Sequence, residues 1–162
     1  MAMNNFNIFG LQVAFTFVAF FLVSKYYIWP ALSRMPADAA LQALVATNIF
    51  RHLGLVFLVT PQVVAATVPH SWTNPVAFGD VITVVLAMIA FVGLAQRKSW
   101  ARGVTWLFNI VGLADLLMAF GTGIPAGAWD FNMGSAWYIT TFLAPIFITI
   151  HLMVFGLLRR KA

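Results

Sequence analysis

Five long apolar segments follow one another along the chain, separated by shorter polar stretches. They cover residues 6–28, 44–68, 76–96, 100–120 and 136–158. A helix needs about 20 apolar residues to cross a hydrocarbon core of about 30 Å, and each segment has that length. Membrane β-strands would instead alternate apolar and polar residues, and 81–94 and 136–158 show no alternation. The pattern predicts an all-α integral membrane protein, a five-transmembrane-helix bundle forming a single membrane domain over residues 1–162.

The composition agrees with this pattern. The chain is 62% hydrophobic and 8% charged, whereas a soluble domain carries about 25% charged residues. It has no cysteine, so it forms neither a disulfide nor a thiolate site. The net charge is +5, but the basic residues form no patch suited to nucleic acid. We therefore expect the lipid bilayer as partner, with assembly into a homo-oligomer or a larger membrane complex, and no nucleic acid.

The basic residues lie on one set of connections between the segments. The N-terminal residues, the 69–75 loop and the 121–135 loop contain no Lys or Arg. With five spans, those connections fall on the side opposite the basic ones, and the positive-inside rule places the basic side in the cytoplasm. The sequence thus predicts an external N-terminus, a cytoplasmic C-terminus and, as localisation, a bacterial inner membrane. The residues that follow the rule are Lys25, Arg34, Arg97, Lys98, Arg102, Arg159, Arg160 and Lys161.

The remaining cation, Arg51, lies inside the second apolar segment beside His52. We expect a long helix over residues 36–68, kinked at Pro61 because proline removes a backbone donor. On a regular helix Asn48, His52 and Gln62 share one face, which we expect to point into the bundle. Arg51 is rotated about 100° from that face, so we expect it at the flank of the bundle or extending to the interface.

Polar residues on three segments fall at similar depths. Counted from the cytoplasmic edge, His52, Asn109 and His151 each lie about 12–13 Å into the bilayer. We expect them to face one another, because ionisable groups inside a membrane are costly and usually functional. Thr105, Asn109, Gly112 and Asp115 share one face of the fourth segment. Asp115 lies farther out, where we expect a second cluster with Gln12 and Gln62, extended by Asp80, rather than a contact with Arg51.

These residues support three hypotheses of function. The first is a polar intrabundle pocket for small-molecule binding or transport; its candidate residues are His52, His151, Asn109, Asn48, Arg51, Asp115 and Gln62. The second is a structural or accessory subunit of a membrane complex, in which polar residues only fix helix packing. The third is a redox protein with haem b as cofactor, ligated by His52 and His151. No metal-binding motif, paired carboxylates or Ser–His–Asp pattern favours an enzyme.

Overall fold

In a computed structural model, which describes residues 3–160, the chain folds into five long helices. They are α1 (Asn5–Ser33), α2 (Ala37–Leu58), α3 (His70–Ala95), α4 (Ala101–Gly123) and α5 (Gly134–Leu158). Each helix is long and apolar enough to cross a membrane. Residues 3–160 contain no β-strand, so the predicted all-α architecture of five helices is confirmed.

The second helix differs most from the prediction. It begins at Ala37, in agreement with the long helix predicted from residue 36, but it ends at Leu58 instead of residue 68. Residues 59–69 form irregular backbone, and the amide of Ala65 donates to the carbonyl of Asn132. Pro61 thus follows the end of a helix and does not kink one. A proline disfavours α-helical backbone at the residue before it, which explains why regular helix stops ahead of this position.

Helix α2 changes type along its length. It is α-helical over Ala37–Asn48 and a 3-10 helix over Ile49–Leu58. In a 3-10 helix, side chains three residues apart lie directly above one another. The buried face follows that spacing through Asn48, Arg51, Gly54 and Phe57. The predicted face was wrong, since His52 is exposed on α2 and Gln62 is exposed in the irregular segment.

Helix α3 packs against both α2 and α4, and α5 packs against α2 and α4. Helix α1 is peripheral and packs mainly against α5. There Trp137 Nε1 donates to Gln12 Oε1 at 2.6 Å, and Thr16 donates to the carbonyl of Thr141. Most of the large apolar side chains of α1 are exposed.

Two apolar cores occupy opposite ends of the bundle. One lies where the α1–α2 turn, the α3–α4 turn and the end of α5 meet, and includes Leu41, Phe108 and Leu157. We call this the basic end, because six basic residues lie there and Lys25 lies two turns away along α1. The six are Arg34, Arg97, Lys98, Arg102, Arg159 and Arg160. The second core, around Phe57 and Trp72, lies towards the far end. A layer of polar side chains separates the two cores.

Candidate functional site

One buried arginine joins four helices. Arg51 is 2% exposed, and its Nε donates to Asp80 Oδ1 of α3 at 2.7 Å. Its Nη2 donates to Asp115 Oδ2 of α4 at 2.6 Å. Its Nη1 donates to the carbonyl of Gly112 at 3.1 Å and lies 3.2 Å from His151 Nε2 of α5. The guanidinium therefore uses all three of its nitrogens on α3, α4 and α5.

The imidazole of His151 is held by Asn109. Asn109 Nδ2 donates to the carbonyl of His151 at 3.1 Å, and Asn109 Oδ1 lies 2.7 Å from His151 Nδ1. Since the amide nitrogen already serves the carbonyl, Oδ1 faces Nδ1 as an acceptor, and Nδ1 carries the hydrogen. Nε2 is then free to accept from Arg51. We call these five residues the Arg51 centre: Arg51, Asp80, Asp115, His151 and Asn109.

Three glycines make room for the side chains of the Arg51 centre. A Cβ at Gly54 would overlap the carboxylate of Asp80, and one at Gly79 would overlap the carboxylate of Asp115. A Cβ at Gly112 would lie 2.6 Å from the imidazole of His151. In each case the glycine is on one helix and the polar side chain is on the next helix along the chain. The close approach of α2, α3, α4 and α5 therefore requires glycine at these positions.

The three charged residues of the centre lie at similar distances from the basic end of the bundle. Arg51 and Asp115 each lie 14 residues from the basic end of their helix, and Asp80 lies 15 residues from it. At 1.5 Å per residue, and 2.0 Å in 3-10 helix, all three lie about 21–23 Å from that end. The expected separation of Asp115 from Arg51 was wrong, because the depth of Arg51 was counted from residue 44, and the helix continues about two turns beyond that residue towards the basic end.

The structure therefore brings together four of the seven predicted candidates: Arg51, Asp115, Asn109 and His151. Asn48 is buried, but its Nδ2 donates to the carbonyl of Leu44 at 3.3 Å instead of joining the centre.

His52 and Gln62 lie apart from the centre. His52 is exposed, with Nδ1 3.0 Å from the carbonyl of Ile49, and Gln62 does not join Asp115. His52 and His151 do not face each other, so the geometry gives no support to a haem held between them. No group of three His, Asp or Glu side chains within residues 3–160 is placed to hold a metal ion.

Asp80 was expected only as an extension of the outer cluster and not as a partner of Arg51, and the three glycines were not among the predicted site residues. Charge could have identified Asp80, because Arg51, Asp80 and Asp115 are ionisable residues within apolar segments, away from the basic connections. The roles of Gly54 and Gly79 depend on which helices are neighbours, and nothing in the local sequence specifies that.

A small cavity adjoins the two carboxylates on the side of the far end. Its volume is about 40 Å³, and Asp80 and Asp115 both line it. Its walls are largely apolar and include four aromatic rings, so we call it the aromatic chamber; the rings are Phe9, Phe57, Trp72 and Phe120. One wall comes from Ile139 and Thr140, in a π-helical turn of α5 over Ile139–Leu143. Such turns are rare and often occur at functional sites.

One carboxylate at the chamber is incompletely satisfied. Asp115 is 9% exposed, and its Oδ1 has no hydrogen-bond partner within the described part of the chain. This oxygen has almost no exposed surface and lies against Gly79 of α3, so it is packed between two helices instead of being turned into the chamber.

No curated protein and no solved structure matches this chain. A family described as "Domain of unknown function (DUF8737)" matches residues 8–159, a range that includes the whole Arg51 centre. The chain therefore belongs to this family of unknown function.

Proposed function

We propose that the protein is embedded in a cytoplasmic membrane with its basic end in the cytoplasm. Five apolar helices and the collection of six basic residues at one end support this orientation. A reporter enzyme that is active only outside the cytoplasm, fused after Ala162, should be inactive, and the same reporter fused before Met1 should be active. The opposite pattern would exclude this orientation.

We further propose that the protein binds a small molecule at the Arg51 centre and that the aromatic chamber is the binding cavity. The observation that carries this proposal is the meeting of an apolar cavity with two buried carboxylates, Asp80 and Asp115. Cavities that bind ligands are typically apolar with a few converging polar groups, and this chamber has that composition. A cavity in the outer half of a transmembrane bundle also suits uptake or sensing from outside.

The second candidate is a structural or accessory subunit. Its support is the fit of Asp80, Asp115 and His151 against glycines, because such contacts fix the packing of helices whether or not a ligand binds. The two candidates differ in one respect: only a binding protein requires the chamber itself to stay open.

Filling the chamber separates the two candidates. Ala119 lines the chamber on α4, whereas Ala114 is exposed on the same helix and serves as the matched control. Wild type, Ala119→Leu and Ala114→Leu would be purified in mild detergent and compared by native mass spectrometry for bound small molecules. We expect a ligand on wild type and on Ala114→Leu and none on Ala119→Leu. Equal occupancy in all three would count against the chamber, and three folded proteins without any ligand would favour the structural role.

A further inference from the structure

A large groove lies between α1 and α2, in the half of the bundle that is nearer the basic end. Helix α1 packs mainly against α5, and it meets α2 at its last residues, Trp29–Ser33. Along the rest of this half, side chains of α1 and α2 form the walls of the groove and side chains of α5 form its floor. The volume of the groove is about 560 Å³, against about 40 Å³ for the aromatic chamber.

The groove extends over one half of the bundle only. At one limit it is lined by Leu32, one residue from the basic end of α1, and at the other by Leu143, 15 residues from the basic end of α5. At 1.5 Å per residue, it runs from about 2 Å to about 22 Å from the basic end. Beyond it α1 closes against α5, where Thr16 donates to the carbonyl of Thr141. An acyl chain occupies one leaflet, half of a hydrocarbon core of about 30 Å, whereas a helix of a second copy would cross both leaflets. The length of the groove therefore fits an acyl chain.

The lining of the groove is suited to hydrocarbon. Among the described residues that line it, Thr47 alone is polar, and its hydroxyl donates to the carbonyl of Leu44 in the same helix at 2.7 Å. The groove thus offers apolar surface and no charged group along its length.

Two arginines lie at the limit of the groove that faces the basic end. Arg34, two residues after Leu32, is exposed in the turn between α1 and α2. Arg160 follows α5, and its Nη2 donates to the carbonyl of Ser33 at 3.3 Å. Within residues 3–160 neither arginine contacts a carboxylate, and Asp38, the acidic side chain nearest this end, contacts Arg102. An apolar groove with a positively charged mouth is complementary to a lipid whose head group is an anion.

We propose that this groove binds one anionic phospholipid, with an acyl chain between α1 and α2 and its phosphate at Arg34 and Arg160. Guanidinium groups hold phosphate oxygens by charge-assisted hydrogen bonds. Basic pockets between helices on the cytoplasmic side of a membrane bind anionic head groups, and the proposed orientation places this mouth on that side. The inference rests on the proposed membrane orientation, and it is independent of any ligand in the aromatic chamber.

Native mass spectrometry of the full chain in mild detergent tests the head-group contact. The protein would be incubated with equal amounts of phosphatidylglycerol and phosphatidylcholine that carry the same acyl chains. We expect one phosphatidylglycerol to be retained per chain in preference to phosphatidylcholine. Arg34→Gln with Arg160→Gln should reduce that preference by about fivefold for each arginine, because a basic residue at an anionic lipid surface contributes about that factor.

Arg97→Gln with Lys98→Gln is the matched control for charge. It removes the same charge from the turn between α3 and α4, and neither of those helices lines the groove, so the preference should remain. Equal retention of the two lipids by wild type would overturn the inference. Equal losses in the two double variants would also overturn it, because general attraction to the basic end would then explain the binding.

Filling the groove tests the place of the acyl chain. Ala46 lines the groove, and Ala114 is exposed on α4 and provides the control. Ala46→Phe keeps every charge and should abolish retention of phosphatidylglycerol, whereas Ala114→Phe should not change it. Unchanged retention in Ala46→Phe would place the lipid outside the groove, and a dimer that only Ala46→Phe dissociates would make a second copy the occupant; either result overturns the inference. If Ala46→Phe does not fold, the two double variants carry the test. The reporter fusions and Ala119→Leu test the proposed function without altering the groove, so the two failures are distinguishable.

Discussion

Arginine–aspartate contacts connect helices of this bundle at two sites that have very different surroundings. Arg51 contacts Asp80 and Asp115 at 2.6 Å, with side chains at most 9% exposed. Arg102 contacts Asp38 at 3.1 Å at the basic end, where the two side chains are 27% and 41% exposed. Arg102 also donates to the carbonyls of Leu158 and Arg160. Both arginines therefore join three or more helices, but only one of them does so away from water.

The difference shows that surroundings, more than geometry, decide what such a contact contributes. When an exposed ion pair is broken, water solvates both partners, so the pair contributes only about 0–1 kcal/mol to the free energy of unfolding. Removing one partner of a buried pair leaves a charge that neither water nor protein compensates, which costs about 3–5 kcal/mol. The Arg51 centre thus helps to determine how four helices pack. The contact at the basic end adds little to packing that other contacts already maintain.

The largest effect should come from Arg51→Met. This change leaves Asp80 and Asp115 buried without a cation, and the free energy of unfolding should fall by about 3–5 kcal/mol. Chemical denaturation in detergent, followed by circular dichroism, measures it. Adding Asp80→Asn and Asp115→Asn to Arg51→Met should restore much of the loss, because no unpaired charge then remains. A loss below about 1 kcal/mol would place Arg51 in the same class as Arg102.

The second largest effect should come from replacing Gly54 or Gly112 at the Arg51 centre by alanine. A methyl group at Gly54 or Gly112 collides with Asp80 or His151, and overpacking of this kind costs about 1–3 kcal/mol. Gly103 of α4 has nothing within 4 Å of an added Cβ, so Gly103→Ala should be neutral or should stabilise by up to about 1 kcal/mol. The opposite signs of the two changes, measured by the same denaturation, form the test. Equal changes in the free energy of unfolding would show that the Arg51 centre accommodates an added methyl group without a loss of stability.

Asn109→Leu should act through His151. It removes the acceptor of His151 Nδ1 and leaves a buried donor unpaired, which costs about 1–3 kcal/mol. Nitrogen NMR of the labelled imidazole offers a second measurement, since the wild-type ring should show a single tautomer with the hydrogen on Nδ1. The variant should lose that preference. A wild-type ring with its hydrogen on Nε2 would contradict the contact with Arg51 described above.

The smallest effect should come from Asp38→Asn at the basic end. The exposed contact with Arg102 contributes about 0–1 kcal/mol, and salt should reduce even that difference. Comparing wild type with the variant at low and high salt, in the same denaturation assay, measures both the contribution of the contact and its dependence on salt. A loss of several kcal/mol, insensitive to salt, would remove the distinction between the two contacts.

The sequence predicts the number and approximate position of the helices because a bilayer-spanning helix imposes length and apolar composition on every segment. It also predicts the inward face of α4, where Thr105, Asn109, Gly112 and Asp115 follow regular helical spacing and are all buried. Regular α-helical periodicity holds throughout that helix, so counting residues gives the correct face.

The same counting fails on α2 because its backbone does not stay α-helical. From Ile49 onwards the helix repeats every three residues, and that change turns Arg51 inward and His52 outward. The apolar sequence around these two residues contains no local signal for the change, since the contacts that accompany it come from Asp80, Asp115 and His151 on other helices. Tertiary contacts therefore determine which of two adjacent residues enters the site.

The distance along the chain between Arg51 and its partners has a consequence for biosynthesis. Asp80 follows 29 residues later and Asp115 follows 64 residues later. At about 5–20 residues per second, Arg51 waits about 1.5–6 s for the first carboxylate and about 3–13 s for the second. In the membrane setting proposed above, a lone arginine at the centre of a helix opposes insertion by about 2.5–3.5 kcal/mol. Helix α2 is therefore expected to enter the bilayer together with α3, and to become firmly retained only after α4 has been made.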